Sequence, residues 1–353
     1  MRDKKLRVLF LTLYPERAAS SRYRVAQFLP YLRASGVDCT VMAALTDAEY
    51  ERFTGSGRKV RPFWYHAAET PRRLCQLAGT GDYDVVVLQK ACLSAYVPGI
   101  GRVLRNRARR LVYDIDDAVH LAPPHPLRGI WRLIEDRGQV RSIMAMSDRV
   151  LAGNAWLRDE ANAAGGRATL FPTVVDTDRF VPAAERPDSF CFGWIGGPST
   201  TPHLDAARTL GEFKGATLRL VGADAARSPW PQAEVRAWSL DREVEEIQQF
   251  SVGIMPLPKD TWTRGKCALK ALQYMACGVP CIATPYGAIL DIIEDGANGL
   301  FADTPDQWMA AAERLRDPVL RKRIGDAGRA TVESRFALRD AAPCLRTILE
   351  EVA

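Results

Sequence analysis

A chain of 353 residues, 47% hydrophobic and 25% charged, is long enough for two ordinary globular domains and has the composition of a soluble protein. No segment approaches the roughly 20 apolar residues of a membrane span, and no apolar run follows the basic MRDKK, so neither a transmembrane protein nor a secretory leader is expected. The eight cysteines lack metal spacing, since Cys277 and Cys281 bracket a Gly-Val-Pro turn without His or Cys neighbours, and reduced thiols in a cytoplasmic protein are the expectation.

The first predicted element is an apolar strand over 6–13. A loop of small residues from Ala18 to Ser21 follows, at a strand's carboxyl end where open α/β sheets bind ligands. Arg22 and Arg24 then open an amphipathic helix over 22–33 and are suited to clamp an anion; two surface arginines are the alternative. Strands over 37–43, 85–88 and 111–113 come next, with helical stretches between most of them. Arg102, Arg105, Arg107, Arg109 and Arg110 crowd one helix-length segment. Residues 1–180 hold 28 Lys/Arg against 19 Asp/Glu, a difference of +9; the rest holds 20 against 23, or −3, which sums to the net +6. Such a patch suits peripheral contact with an anionic membrane or an acidic acceptor, or is a solvated arginine face. No aromatic residues interleave with it, so nucleic acid is not an expected partner.

The third of these strands ends in LVYDIDDAVH, which gathers Asp114, Asp116, Asp117 and His120 at its carboxyl edge. Three acids within four residues repel one another. Catalysis, capping of the next segment, or a metal held by the Asp-x-Asp tripeptide would each account for them. The two-sheet layout argues against the metal.

Near Leu170 the text FPTVVDTDRFVPAAERPDS reads as a linker. A second alternating series follows, with strands over 190–195, 218–221, 252–255 and 281–284, so two doubly wound parallel sheets are predicted. In GWIGGPSTTPHL, Gly196 and Gly197 let the backbone approach a ligand, and Ser199 or Thr200 is placed to cap the helix that follows. An ordinary strand-to-helix turn is the alternative. Trp238, in RAWSLDREVEEI, either stacks on a base or closes the core. The stretch RGKCALKALQYMACGVPCIATP then reads as a helix opened by Gly265, closed by Gly278 and Pro280, and followed by a buried strand. Lys266 and Lys270, four residues apart, share a face at its start, where unpaired N–H groups and the helix dipole favour a diphosphate. Two solvated lysines on a surface helix are the alternative.

This last stretch resembles the donor-binding helix of glycosyltransferase family 4, retaining enzymes with the GT-B fold. The tail YMACGVPCIAT matches the family pattern closely, whereas its two glutamates are replaced by Gly265 and Gln273, as in a branch with GKC…LK…LQYMACG. The resemblance implies an α/β GT-B fold of two Rossmann-like domains with an interdomain cleft. Its boundaries would be an acceptor-side domain over 1–172, a linker over 173–188, a nucleotide-sugar domain over 189–335, and a C-terminal helix over 336–353 packing back on the first domain. It implies a retaining transfer of a sugar from a nucleoside diphosphate sugar to the hydroxyl of a glycan or small-molecule acceptor, with no cofactor and no metal. Lys266, Lys270, Gly196, Gly197, Ser199, Thr200, Arg22 and Arg24 would serve the diphosphate, and Gln273 and Trp238 the nucleoside. Asp116, Asp117 and His120 would orient the acceptor or stabilise the reacting sugar. A GT-B nucleotide-sugar epimerase, or a nucleotide-sugar binder without catalysis, shares these features.

Overall fold

The computed structural model describes residues 5–54, 62–94, 96–121, 136–185 and 189–353. The first four residues of MRDKK and linker residues 186–188 lie outside the described residues. The chain divides into two compact units, Met1–Thr173 with Asp340–Ala353, and Val174–Arg339.

The first unit is built on six parallel strands: β1 Arg7–Thr12, β2 Asp38–Ala43, β3 Val85–Gln89, β4 Leu111–Ile115, β5 Arg149–Ala152 and β6 Ala168–Leu170. Their spatial order is β2-β1-β3-β4-β5-β6, so the winding reverses between β1 and β3. β3 and β4 are buried along their whole length, which is why each reads as an apolar run up to its polar Gln89 or Asp114. The register places Thr12 beside Gln89 and Gln89 beside Asp114, so three polar side chains sit together at the strands' carboxyl ends. Below that edge, fully buried Arg73 of the helix Pro62–Ala78 donates to the carbonyl oxygens of Thr12 and Cys92.

The predicted helix over 22–33 is broken. Ala19–Arg24 and Leu29–Ala34 are separate helices, parted at Val25 (φ −130°, ψ −64°). Pro30, which has no N–H to continue the ladder, sits in the first turn of the second. Arg22 and Arg24 consequently end a helix instead of opening one.

The second unit repeats the plan with β7 Phe190–Ile195, β8 Ala216–Val221, β9 Glu234–Arg236, β10 Val252–Met255, β11 Cys281–Ala283 and β12 Leu300–Phe301. The order β12-β11-β10-β7-β8-β9 reverses between β7 and β10. Phe192, Trp194, Leu220, Ile254, Ile282 and Trp308 centre its core. Gly193 and Gly253 are register partners across the reversal. A Cβ on Gly193 would lie 1.9 Å from the Phe250 ring, and one on Gly253 would lie 2.4 Å from the Tyr274 ring. The paired glycines therefore admit two aromatic rings, which meet edge to face at 6.1 Å. Through Tyr274, whose hydroxyl accepts the Ile195 N–H at 3.0 Å, the helix Leu269–Ala276 is seated against β7.

Residues 174–185 differ from a free linker. They belong to the second unit, where Val175 and Ala337 form a β-bridge. Arg329 binds this stretch by donating to the carbonyl oxygens of Thr177 (2.9 Å), Phe180 and Ala276 (2.6 Å). Residues 340–353 return to the first unit, where Glu351 lies 3.7 Å from Arg149.

Candidate functional site

In an open α/β sheet, ligands bind at the carboxyl edge where the strand order reverses. In the second unit that edge is made by the chain leaving β7 and β10. The turn after β7 leads through Gly196 and Gly197 into a run of tight helical turns, Pro198–Glu212, broken at Ala207. Gly197 caps it without a side chain, so the capping expected of Ser199 or Thr200 is absent. Ser199 is exposed, and the Thr200 hydroxyl instead donates to the Gly197 carbonyl at 3.0 Å.

Beyond β10, Asp260 caps a short helix, Thr261–Arg264, accepting the Thr263 N–H at 2.6 Å. Gly265 closes that helix. This corrects the expectation that it opens the next one. The helix Leu269–Ala276 starts only after Ala268, which holds a left-handed backbone (φ +54°). Lys266 thus lies in the joint between helices and Lys270 in the first turn of the second. The two do not share a helix face. Their charges are nonetheless close: burial, and then the Lys266 ammonium, push Lys270 down to about 8. The Lys270 ammonium lies 5.4 Å from the centre of a Trp194 ring. A Cβ on Gly196 would come within 2.7 Å of the Lys270 side chain, so this glycine is what lets the lysine lie over the turn.

His203 belongs to the same cluster and was missed from the sequence. Burial, and then Lys270 and Lys266, push its imidazole down to about 4, with Asp260 opposing. At neutral pH it is an uncharged group beside two ammoniums. Two cations, a neutral imidazole and a bare glycine turn are the groups whose chemistry suits a small polyanion.

Gln273, on the same helix, is buried and donates to Glu243 at 3.0 Å. The same carboxylate, itself 2% exposed, accepts from Trp238 Nε1 at 3.2 Å and lies 3.2 Å from Arg179. The two residues expected at a nucleoside are thereby brought together on an acid that sequence reasoning passed over. Glu243 sits in REVEEI, which reads like any charged surface helix. The exchange of acid for amide at Gln273 has a physical sense here: a glutamate would place two buried carboxylates against each other.

In the first unit, the four chemistry-bearing residues of LVYDIDDAVH take separate partners. Asp114 is buried against Arg24, which reaches it at 2.6, 3.0 and 3.2 Å and also donates to the Phe171 carbonyl at 2.9 Å. Burial pushes the Asp114 carboxyl up and Arg24 draws it back. Arg24 is therefore engaged inside the unit, and Arg22 packs on Tyr23 while donating to the Arg17 carbonyl at 3.0 Å. Asp116 accepts from the Ser20 hydroxyl and, at 3.4 Å, from Gln89. Asp117 pairs with Lys90 at 3.2 Å. Asp114 and Asp116 thus do not present a joint pair of carboxylates to one metal. His120 is buried against Trp156, rings 5.3 Å apart, and lies 3.3 Å from Glu160; burial lowers its pKa. Gln89 and Lys90 were not foreseen, because single polar residues at strand ends carry no pattern, whereas Ser20 lies in the Ala18–Ser21 stretch expected at a ligand edge. The arginine segment is less free than the sequence suggests: Arg105 and Arg110 flank Asp148 at 3.6 Å each, and Arg109 lies 3.4 Å from Asp84. Among the described residues no helix is long and apolar enough to cross a membrane, and all eight cysteines are free thiols.

Residues 203–317 match the family described as Glycosyl transferases group 1. A D-inositol 3-phosphate glycosyltransferase of Paenarthrobacter aurescens is 30% identical over 227 residues, 53% of this chain and 52% of that protein. An N-acetyl-alpha-D-glucosaminyl L-malate synthase of Bacillus anthracis is 32% identical over 87 residues, 24% of this chain and 23% of that one. The chain therefore spans about half, or less, of the length of these curated relatives. Among solved structures, sucrose-phosphate synthase from Thermosynechococcus elongatus has a TM-score of 0.75 at 17% identity, over 98% of this chain and 99% of that one. The Anabaena protein HepE in complex with UDP-glucose has a TM-score of 0.68 at 14% identity, over 98% of this chain and all of that one. Likeness at these identities speaks for architecture, and the chain has the GT-B fold, with the family match lying over His203, Glu243, Lys266, Lys270 and Gln273.

Proposed function

We propose that the protein is a retaining glycosyltransferase that moves a sugar from a nucleoside diphosphate sugar, bound by the second unit, to a hydroxyl of a glycan or small-molecule acceptor bound by the first. The observation that carries this reading is the cationic cluster of Lys266 and Lys270 over the Gly196–Gly197 turn, at the reversal point of a sheet within the family-matched part of the chain. HepE, with its bound UDP-glucose, supports this class of donor, and the glycosyltransferase relative supports glycosyl transfer.

When the bond from the anomeric carbon to the diphosphate breaks, negative charge grows on the leaving oxygens. In this reading Lys266 and Lys270, lying by the glycine turn, stabilise that charge, the role a metal ion fills elsewhere, while the Gly196 N–H is spent on the Val221 carbonyl at 3.0 Å. His203 is uncharged at neutral pH and supplies a hydrogen bond without an added proton. Gln273 and Trp238, held by Glu243, serve the nucleoside. Retention follows if the acceptor hydroxyl attacks the face the diphosphate leaves. Its proton then passes to a leaving phosphate oxygen, and no enzyme nucleophile is required. Asp116 and Asp117 are the acids assigned to the acceptor. His120, buried on Trp156 beside Glu160, is given a packing role. The reading needs no cofactor beyond the donor.

Titration calorimetry with nucleoside diphosphates, followed by product analysis with the matching sugar donors, tests it. We expect one base family to bind, and Lys270→Ala to lower turnover about 100-fold with the melting temperature retained, the usual loss when one donor to a developing anion is removed. An isomerised donor with no acceptor consumed would instead identify an epimerase, and donor binding without any product a binding protein. Normal turnover in both Lys266→Ala and Lys270→Ala would overturn the site assignment.

A further inference from the structure

We infer that Arg179 is a positioning residue for the donor, one that acts through Glu243 to set Trp238 and Gln273 for the nucleoside. This deepens the function proposed above and rests on its donor reading. The inference starts from how one buried carboxylate is shared. Glu243 is 2% exposed, and its two oxygens take different partners. Oε1 accepts from Gln273 Nε2 at 3.0 Å and from Trp238 Nε1 at 3.2 Å, and Oε2 accepts from Arg179 at 3.2 Å. A carboxylate only accepts, so Gln273 turns its amide nitrogen, and Trp238 its ring nitrogen, towards Glu243. The direction of both side chains is thereby fixed. Both also lie beside the cationic cluster. Gln273 is about one turn beyond Lys270 on the same helix. Trp238 stands against Gly222, where a Cβ would lie 3.1 Å from the Trp238 Cβ and 2.4 Å from the Gly196 carbonyl oxygen. The two residues are continuous with the glycine turn that lies by Lys270.

The aim of Arg179 is itself built. Asp176 Oδ1 accepts the N–H groups of Asp178 (3.0 Å) and Arg179 (3.3 Å), and the Phe180 N–H returns to the Asp176 carbonyl at 2.8 Å. An aspartate thus closes the turn from which the arginine projects. The guanidinium lies 5.0 Å from the centre of the Phe180 ring, and Phe180 is fully buried. It also donates to the Leu240 carbonyl at 2.8 Å, between Trp238 and Glu243 in the chain. One planar group therefore holds both the carboxylate and the backbone of the stretch that carries Trp238. At the other end of the helix Glu243–Gln248, Gln248 donates to the Val181 carbonyl at 2.8 Å, so residues 179–181 grip that helix at its first and last residues. Without the guanidinium, Glu243 keeps the cost of burial and loses this partner. It is then drawn towards water, and Trp238 and Gln273 lose their common anchor. The Arg179 side chain is 34% exposed, so its replacement leaves no hole in the core.

Calorimetry on the full chain tests this with UDP, ADP and GDP against inorganic pyrophosphate, which carries two phosphates and no nucleoside. We expect Arg179→Gln to weaken the nucleoside diphosphate that binds by about tenfold, the scale of one hydrogen bond to a charged group. Pyrophosphate binding should stay unchanged, whereas a general loss of packing would weaken both ligands alike. Arg179→Lys, which keeps the charge without the planar fork, should recover part of the loss. In a Glu243→Gln background, Arg179→Gln should have no further effect. That double variant decides the matter even where pyrophosphate binds too weakly to measure. Should Arg179→Gln not fold, Arg179→Lys is read in the same way, with a smaller loss. Equal loss for pyrophosphate, no loss for the nucleoside diphosphate, or fully additive losses with Glu243→Gln would each overturn the inference and leave the donor reading standing. A wild type that binds none of the three nucleoside diphosphates would remove the donor reading, and the inference with it.

Discussion

Lys270 is the residue whose chemistry sets a measurable pH dependence. Its ammonium is pushed down to about 8 by burial and then by Lys266. An anion bound beside it restores the charged form, so binding takes up a proton where the free lysine is partly neutral. The sign follows directly. Below about pH 8 the lysine is charged before binding and affinity is at its full value; above it, each unit of pH removes charge and weakens the diphosphate. The ligand's own terminal phosphate titrates near pH 6, outside this window. Calorimetry between pH 7 and 9.5, with whichever nucleoside diphosphate the proposed donor site takes, should show affinity falling by about tenfold, with proton uptake visible as a buffer-dependent enthalpy. Lys270→Arg, which stays charged, should flatten the profile. A flat wild-type profile would show that Lys270 does not face the diphosphate. The sequence pointed to Lys266, Lys270, Gln273 and Trp238 because they sit in one recognisable stretch or at a fixed offset from it. Glu243 and His203 escaped it because what singles them out is burial. A carboxylate at 2% exposure receiving Gln273 and Trp238 looks, in sequence, like one more acid in REVEEI.

At the scale of elements, the strands were legible where they were buried on both faces, as in β1, β3, β4 and β7. Helix boundaries were not. Gly265 looks like a start because a lysine-bearing periodic stretch follows it, but Asp260 had already nucleated a shorter helix. The joint it creates at Ala268 is what separates Lys266 from Lys270. A second boundary, the segment after Phe171, is fixed by one side chain. Arg329 donates to Thr177, Phe180 and Ala276, and its Nε lies 2.7 Å from Glu333. Ala276 is the last residue of the Leu269–Ala276 helix, so the guanidinium also satisfies a carbonyl at that helix's negative end. Replacing Arg329 by Met keeps much of the apolar stem and leaves three carbonyl oxygens unmatched. The expected cost is about 2–3 kcal/mol, read as a lowered denaturant midpoint with an unchanged slope. A loss under half a kilocalorie would mean that water replaces the guanidinium and that residues 174–180 hold on by apolar burial alone.

At the scale of the whole molecule, the chain enters the second unit at Val174 and leaves it after Arg339, so the first unit is closed by the final helix, Leu338–Val352. Two alternating strand and helix series made two domains legible in the sequence. That the last residues belong with the first of them was implied only by family resemblance, because an amphipathic helix does not name the surface it covers. Ala342, Leu345, Leu349 and Val352 are its buried face. Truncating a fully buried leucine costs about 2–5 kcal/mol through lost transfer energy and the cavity left behind. In Leu349→Ala that loss should fall on one unit. Hydrogen exchange should speed in β1, β3 and β4 and remain at its wild-type rate in β7 and β10. If the donor reading holds, the nucleoside diphosphate that binds should protect the Leu269–Ala276 helix equally in both proteins. Faster exchange spread evenly over the two sheets would show instead that the units unfold as one, and a stability measured on the whole chain would then belong to neither alone.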